Sequence, residues 1–296
     1  MGTLYVVSTP IGNLEDITLR ALRVLREASL IAAEDTRHTR RLLQRYDIAT
    51  PCISYHEHNK LMRLDDILTA LITGDVALVS DAGTPALSDP GYELVRTCIA
   101  AGFAVVPVPG ASAPLAALVA SGLPTDRFLY LGFLPRRSSE RRTALAAVAA
   151  LAATLVCFEA PHRVVDTLED MLAVFGDRQM TAARELTKLH ESWQRGPISA
   201  VLAHFQDERP RGEFTLVIEG AKPRPTRGSV AAIDAASDET APTPEALEQA
   251  MLERLAELRG AGERGSSAAR TVASEFGVPK QMTYQLWLRL DADTAE

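Results

Sequence analysis

Three cysteines in 296 residues, Cys52, Cys98 and Cys157, offer no Cys-x-x-Cys pair, and each sits in an apolar segment. That suits reduced core thiols rather than a disulfide framework or a zinc knuckle. No run of about 18 uninterrupted apolar residues is present, so no membrane span is expected. The start, Met1-Gly2-Thr3-Leu4-Tyr5, enters strand pattern without a basic stretch and an apolar core, which predicts a cytoplasmic protein. Positive charge is not in surplus: 31 Lys and Arg against 38 Asp and Glu leave a net charge of −7. This argues against a chain that coats nucleic acid but leaves room for a local basic patch. A Walker A pattern is missing, which counts against a P-loop nucleotidase, and so is His-Glu-x-x-His.

What is there is an alternation. Apolar runs at Leu4–Ser8, Leu30–Ala33, Cys52–Tyr55, Val76–Ser80 and Ala104–Val108 predict strands. Helical spacing predicts helices between them, at Thr18–Ala28, Thr36–Arg45, Leu61–Ile72, Tyr92–Ala101 and Ala113–Ala120. Such an order gives a mainly parallel sheet covered on both faces. A second α/β set starts at Phe128, with strands at Phe128–Phe133, Thr154–Phe158, Met180–Arg184 and Phe214–Glu219, and an extra one near Glu191–Arg195. The expected fold class is therefore α/β, with domains at 1–124 and 125–220 and a cleft between them as the place for a small molecule. Four prolines make 221–244 a linker, and three helix patterns make 245–296 a helical appendage.

The most informative stretch is Val76 to Gly91. A buried strand stops at Ser80-Asp81 and gives way to Ala82-Gly-Thr-Pro85, the layout of a ligand loop at the mouth of an α/β sheet. Two more Gly/Pro loops follow strands, Thr9-Pro-Ile-Gly12 and Val108-Pro-Gly-Ala-Ser112, and the three are expected to converge. Taken alone, the first is equally a plain turn capped by Asp16 or Thr18. Glu34-Asp-Thr-Arg-His38 puts two carboxylates at a strand end and Arg37 and His38 at a helix start, where a phosphate can be held. Arg136, Arg137, Arg141 and Arg142 form a second basic group, either a solvated helix start or a phosphate-tracking patch; charge alone does not decide.

Several motifs read as structure. Gly260-Ala-Gly-Glu-Arg-Gly265 follows a helix pattern rather than a strand and is an interhelical turn, not a dinucleotide site. His56-Glu-His58 offers two imidazoles and no further obvious ligand, so it is a polar loop after a strand. Ser112 lacks the closing glycine of a nucleophile elbow and suits hydrogen bonding or capping.

The order of Thr9-Pro-Ile-Gly-Asn-Leu-Glu-Asp16, Ala33-Glu-Asp-Thr-Arg-His38, Val79-Ser-Asp-Ala-Gly-Thr-Pro85, Ser88-Asp-Pro-Gly91 and Val108-Pro-Gly-Ala-Ser112 carries a resemblance. It continues through Gly132-Phe-Leu-Pro135, Phe158-Glu-Ala-Pro-His-Arg163, Ala183-Arg-Glu-Leu-Thr-Lys188 and Gly212-Glu-Phe-Thr-Leu-Val217. Over roughly residues 3 to 220 the chain resembles the ribosomal RNA small subunit methyltransferase I family, in the tetrapyrrole-methylase-like class (class III) of S-adenosylmethionine enzymes. Pro10-Ile-Gly-Asn13 stands where tetrapyrrole enzymes usually carry a glycine-rich loop, which points to the RNA branch. The resemblance implies two α/β domains around an S-adenosyl-L-methionine cleft, a homodimer, and 2′-O-methylation of a cytidine in the decoding region of 16S rRNA in the 30S subunit. Carried over by motif, the cofactor contacts are Pro10, Ser80, Asp81, Ala82, Gly83, Thr84, Ser112, Ala113, Phe133, Phe158, Glu159, Ala160, Arg184, Phe214 and Thr215.

For catalysis, Asp35 is the first expected base and Glu185 the second. Lys188, Arg37 and His38 are expected to anchor phosphate, with Arg136 and Arg137 as further substrate contacts. No catalytic metal is implied by the ligand pattern. The rival readings are a same-fold methyltransferase acting on a tetrapyrrole or modified amino acid, and a non-catalytic S-adenosylmethionine-binding RNA assembly module.

Overall fold

Alternate residues of the first five strands face opposite ways, and each face finds its own pair of helices. The strands are β1 (Thr3–Val7), β2 (Leu30–Ala33), β3 (Cys52–Ser54), β4 (Val76–Val79) and β5 (Ala104–Val108). They lie in the order β3-β2-β4-β1-β5 and are all parallel. Ile31, Ala33, Ala77 and Val79 pack with Leu25 of α1 (Leu19–Glu27) and Leu42 of α2 (Thr36–Arg45). Their neighbours Ala32, Val76 and Leu78 pack instead with Leu71 of α3 (Lys60–Thr73) and Leu94 of α4 (Tyr92–Ala100). Burial on both faces explains why these strands read as unbroken apolar runs. All four residues of β4 are buried. The computed structural model describes residues 1–57, 59–208, 210–222, 244–276 and 278–292.

The second sheet is mixed. Its strands are β6 (Phe128–Phe133), β7 (Thr154–Glu159), β8 (Gln179–Arg184), β9 (Ser192–Pro197) and β10 (Phe214–Ile218), in the order β6-β7-β10-β8-β9. Only β6 and β7 pair in parallel; β10 runs against both β7 and β8, and β9 against β8. The extra strand expected near Glu191–Arg195 is β9, displaced slightly toward Pro197. One face of this sheet packs on α6 (Ser138–Val148), α7 (Val164–Phe175) and α8 (Ile198–Asp207) through Leu145, Leu168, Met171, Val201 and Phe205.

The other face is covered from the first half. Helix α5 (Ala113–Ala120) leaves β5 and lays Ala117 and Leu118 on Val156, Ala183 and Val217. A division at 124 therefore falls between α5 and the strands it covers. By its contacts the chain forms two units, Met1–Ala221 and Lys222–Glu296, and both sheets belong to the first.

In the second unit, α9 (Pro244–Gly260), α10 (Gly265–Phe276) and α11 (Lys280–Ala292) share a small core of Met251, Leu255, Val272, Leu286 and Trp287. The Gly260 to Gly265 motif spans the α9–α10 turn. Of the expected linker, 223–243 lies outside the described residues, as do His58 and Gly277. Among the described residues no helix is long and apolar enough to cross a membrane.

Candidate functional site

Parallel strands deliver their following loops to one edge of a sheet, so the loops after β1, β4 and β5 become neighbours. Thr9 and Gly83 exchange two backbone hydrogen bonds, 2.8 and 3.1 Å. The hydroxyls of Ser8 and Thr84 lie 2.9 Å apart. Gly110 lies so near Ser8 that a Cβ added to it would stand 2.9 Å from the Ser8 Cβ. The three loops thus meet.

Two ties bring second-sheet elements to the same place. The Asn13 N–H donates to Thr187 Oγ1 at 3.0 Å, joining the β1 loop to the β8–β9 loop. Gly12 makes this approach possible: a Cβ there would lie 2.5 Å from Lys188 Cγ and 2.9 Å from the Leu186 carbonyl oxygen. The second tie joins the β4–α4 loop to β6, where Ser88 Oγ and Tyr130 Oη are 2.8 Å apart.

Between these loops lies a cleft of about 470 Å³, inside the roughly 300–1,000 Å³ usual for small-molecule sites. Small residues line part of it, Ala82, Gly83, Ser112, Ala113 and Ala160. Phe133, Phe158 and Phe214 supply apolar area, and Thr84 and Thr215 supply hydroxyls. A register shift between Tyr130 and Phe133 on β6 accompanies a positive φ of 62° at Gly132. Such a bulge re-aims the next side chain. Phe133 stays 58% exposed, 5.4 Å from the Phe158 ring.

The cleft's second-sheet wall is built from ion pairs. Glu159 is fully buried; it accepts from Thr167 Oγ1 at 2.6 Å and from the Ala160 N–H at 2.9 Å, and meets Arg163 Nε at 3.2 Å. Lys188 Nζ lies 2.9 Å from both Glu185 Oε1 and Glu213 Oε2. Burial alone would raise the Glu185 pKa, but the Glu213 N–H and the Lys188 ammonium outweigh it and lower it. Glu185 and Thr187 themselves sit at positive φ, 52° and 63°.

On the first-sheet wall, the one carboxylate in the cleft lining has no ion pair of this kind among the described residues. Asp89 lines the cleft. Burial pushes its pKa up to about 6, with Glu34 and Asp81 adding repulsion and the Ser80 hydroxyl offsetting part of it. Burial also raises Glu34, although the Asp81 N–H donates to it at 3.3 Å. The loop that holds Asp89 is strained just before it. Ala86 and Ser88 have φ of 67° and 65°, and Gly91 has 143°. Non-glycine residues there cost about 1–3 kcal/mol each and persist only where the surroundings hold them.

Of the expected cofactor residues, Ala82, Gly83, Thr84, Ser112, Ala113, Phe133, Phe158, Glu159, Ala160, Phe214 and Thr215 line the cleft, and so does Lys188. Pro10, Ser80, Asp81 and Arg184 are not among its lining residues. Asp81 Oδ1 accepts the Asp35 N–H at 3.0 Å, and Arg184 sits opposite Phe214 in the β10–β8 ladder. Ser112 occupies the N-cap position of α5, yet its side chain makes no capping bond.

The two carboxylates expected to act as bases are committed elsewhere. Asp35 Oδ1 caps α2 by accepting the Arg37 N–H at 2.8 Å, and its Oδ2 meets Arg37 Nη2 at 2.8 Å. Those bonds hold its carboxyl well below the usual carboxylate range. Neither Asp35 nor Glu185 lines the cleft. Ile11, Leu87, Ser88, Asp89, Pro161, His162, Leu186 and Glu213 line it without having been expected to. Most are immediate neighbours of expected residues, and Asp89 stands in the Ser88-Asp-Pro-Gly91 motif itself.

Arg37, His38, Arg136 and Arg137 are exposed and lie outside the cleft lining. The chain beneath Arg136 is pinned. Arg163 Nη2 donates to the carbonyls of Leu134 and Pro135 at 2.8 and 3.0 Å, and Arg141 Nη1 donates to that of Arg136 at 3.2 Å. Arg141 is in turn buried against Asp170, 2.6 Å away. Within the four-arginine group, Arg141 is thus structural, while Arg136 and Arg137 stay exposed.

Residues 3–202 match the tetrapyrrole (corrin/porphyrin) methylase family. A protein of Synechocystis sp., ribosomal RNA small subunit methyltransferase I, is 45% identical over 99% of this chain and all of its own length. Its namesake in Escherichia coli O157:H7 is 51% identical over 75% of this chain and 79% of its own. Among solved structures, the methyltransferase CobJ superposes with a TM-score of 0.58 at 18% identity, covering 76% of this chain and 96% of its own. A diphthine synthase gives 0.57 at 13%, over 76% and 92%. At such identities these two structures speak for the fold alone.

Proposed function

We propose, on the premise that this chain belongs to the tetrapyrrole methylase family and within it to the ribosomal RNA small subunit methyltransferase I family, that it methylates the 2′-oxygen of a cytidine ribose in the decoding region of 16S rRNA. The donor in this reading is S-adenosyl-L-methionine, and the substrate is the RNA within the 30S subunit. The protein works as a cytoplasmic homodimer.

The observation that carries the reading is the two-walled cleft. Its size, small residues and aromatic faces fit a nucleoside with a short polar tail, and the half-buried Asp89 carboxylate suits a sulfonium cation. Ala82 to Thr84, Ser112 and Ala113 would hold the donor from the first sheet, and Phe133, Phe158 to Ala160, Phe214 and Thr215 from the second. Pro10, Ser80, Asp81 and Arg184 would act from behind by fixing these loops and strands. When bound, the donor supplies an electrophilic methyl group. What the protein adds is orientation of the acceptor hydroxyl and exclusion of water, worth several orders of magnitude in well-aligned systems. Arg37, His38, Arg136 and Arg137 would meet RNA phosphates, and the pinned loop beneath Arg136 lowers the entropy lost in doing so.

Nucleoside mass spectrometry of 16S rRNA tests this. Cells lacking the gene should lose 2′-O-methylcytidine, and the purified chain with donor should restore it on their 30S subunits. An unchanged signal overturns the reading and leaves a tetrapyrrole or amino-acid acceptor, or a non-catalytic assembly role, to be assayed.

A further inference from the structure

The two faces of the first sheet are covered by helices of unlike charge. On one face, the sequences of α3 and α4 contain three cations and three carboxylates. On the other, those of α1 and α2 contain seven arginines and one glutamate. The whole chain has a net charge of −7, so this excess runs against its overall balance.

Packing explains why the arginines point outward. Ala21, Leu22, Val24 and Leu25 of α1 are buried, as are Thr39, Leu42 and Leu43 of α2. That leaves Arg20, Arg23 and Arg26 exposed as one stripe at three-residue spacing. On α2, Arg37, Arg41 and Arg45 form a second exposed stripe at four-residue spacing, with Arg40 beside it. Arg23 pairs with Glu27 and Arg37 with Asp35. Among the described residues, Arg20, Arg40, Arg41 and Arg45 have no carboxylate partner. Cations three or four residues apart repel one another and weaken a helix. Neither helix has an acidic residue in its first turn, where the helix dipole favours one. Nothing inside the fold offsets this self-repulsion, and an external polyanion would.

The face is joined to the cleft. Asp35, the N-cap of α2, gives its N–H to Asp81 of the β4 loop at 3.0 Å. Helix α1 follows the β1 loop, which meets the same β4 loop at Thr9 and Gly83. A helix after a parallel strand returns along the sheet, so both run back from the cleft edge, α2 for about 15 Å over its 10 residues. Their far ends are tied. Arg26 Nη2 donates to the Tyr46 carbonyl at 3.0 Å, and Thr50 Oγ1 donates to that of Leu25 at 2.6 Å.

We infer that the α1–α2 face docks the phosphate backbone of the substrate RNA outside the cleft, so that the RNA footprint runs from the cleft edge along these two helices. The inference rests on the proposed RNA reading and adds the surface that holds the rest of the substrate. Phosphate contacts fix register and orientation but carry no sequence information. The face thus supplies affinity and placement, and the cleft selects the nucleotide that reacts.

The experiment uses the full chain, 30S subunits from cells lacking the gene, and a 16S rRNA transcript as a protein-free probe. Arg40→Gln, Arg41→Gln and Arg45→Gln are combined in one variant. Arg96→Gln, exposed on α4, is the control on the opposite face. Kd is read by filter binding between about 50 and 200 mM salt. At about 100 mM salt the triple variant should bind 30S subunits at least about tenfold more weakly, and its slope of log Kd against log salt should fall by about 2–3. Its KM for 30S subunits should rise with Kd, while kcat and the affinity for S-adenosylhomocysteine stay within about twofold of the parent. Its Tm should be no lower than the parent's, since the charges removed repelled one another; a purely structural role would lower it. Arg96→Gln should leave Kd and slope unchanged. A triple variant whose Kd stays within about twofold and whose slope stays within about 0.5 of the parent's overturns the inference, and so does a control that loses as much. A triple variant impaired on 30S subunits but equal to the parent on the transcript also overturns it, and assigns the face to an acidic protein. A parent that leaves the 2′-oxygen unmethylated while the triple variant loses RNA affinity overturns the proposed reaction and not the docking surface. A parent that methylates it beside an unimpaired triple variant overturns only the docking surface.

Discussion

On the second-sheet side of the cleft, Glu159 has Arg163 and the pair Glu185 and Glu213 has Lys188. On the first-sheet side, Glu34 has the Asp81 N–H with His56 nearby, and Asp89 has the Ser80 hydroxyl beside the like charges of Glu34 and Asp81. The difference follows from what each wall is made of. Antiparallel β8 and β10 bring two chain segments side by side, so a lysine on one reaches glutamates on both. Parallel β2 and β4 end together and deliver their acidic loops to one point, with no returning strand between them to bring a cation. A paired carboxylate is a structural part; an unpaired one near neutrality can exchange a proton. One wall is held by its ion pairs, and the other keeps a carboxylate without one among the described residues.

The sharpest way to break the comparison is to strip a cation from the paired wall. Arg163→Met leaves Glu159 buried and charged, and should cost about 3–5 kcal/mol in chemical denaturation. The mirror change is Asp89→Asn, which removes an uncompensated charge. Because the native state holds this proton more tightly than the unfolded chain, this group's contribution to stability is fully present below pH 3.8 and is lost as pH rises through about 6. The variant should therefore be the more stable protein at pH 7, by about 1–2 kcal/mol, with the gap closing below pH 4 in denaturant titrations. Lys188→Met should cost less, about 1 kcal/mol or below, because this pair is part-exposed and salt-screened. Asp35→Ala should give the smallest effect, a slight fall in Tm from the lost α2 cap, with turnover on 30S subunits kept within about tenfold. A collapse of turnover there would return Asp35 to the chemistry.

Much of this was legible beforehand, for physical reasons. Doubly buried strands such as Val76–Val79 announce themselves as apolar runs, and α2 and α5 begin and end where caps and proline place them. The small residues of the β4 loop, read as a ligand loop, line the cleft. What the sequence hid was which carboxylate does what. Asp35 and Asp89 both lie in loops between a parallel strand and its helix, and only coordinates show Arg37 folded back on one and the Ser80 hydroxyl on the other. Hidden for the same reason were Gly12 under Lys188 and the Ser88–Tyr130 tie, which are contacts between segments far apart in the chain. The covering of the second sheet by α5 is a third case, since pattern assigns a helix to its neighbours in sequence, not in space.

That last feature has a temporal side. As the chain emerges from a ribosome, Ala117 and Leu118 are made roughly a hundred residues before Val217 on β10, their eventual bed. At about 5–20 residues per second the helix waits some 5–20 s with its apolar face uncovered. The first sheet can close long before its last helix has anywhere to lie. Synthesis of this protein thus contains a built-in exposed interval, during which a chaperone has its best opportunity and misassociation its greatest chance.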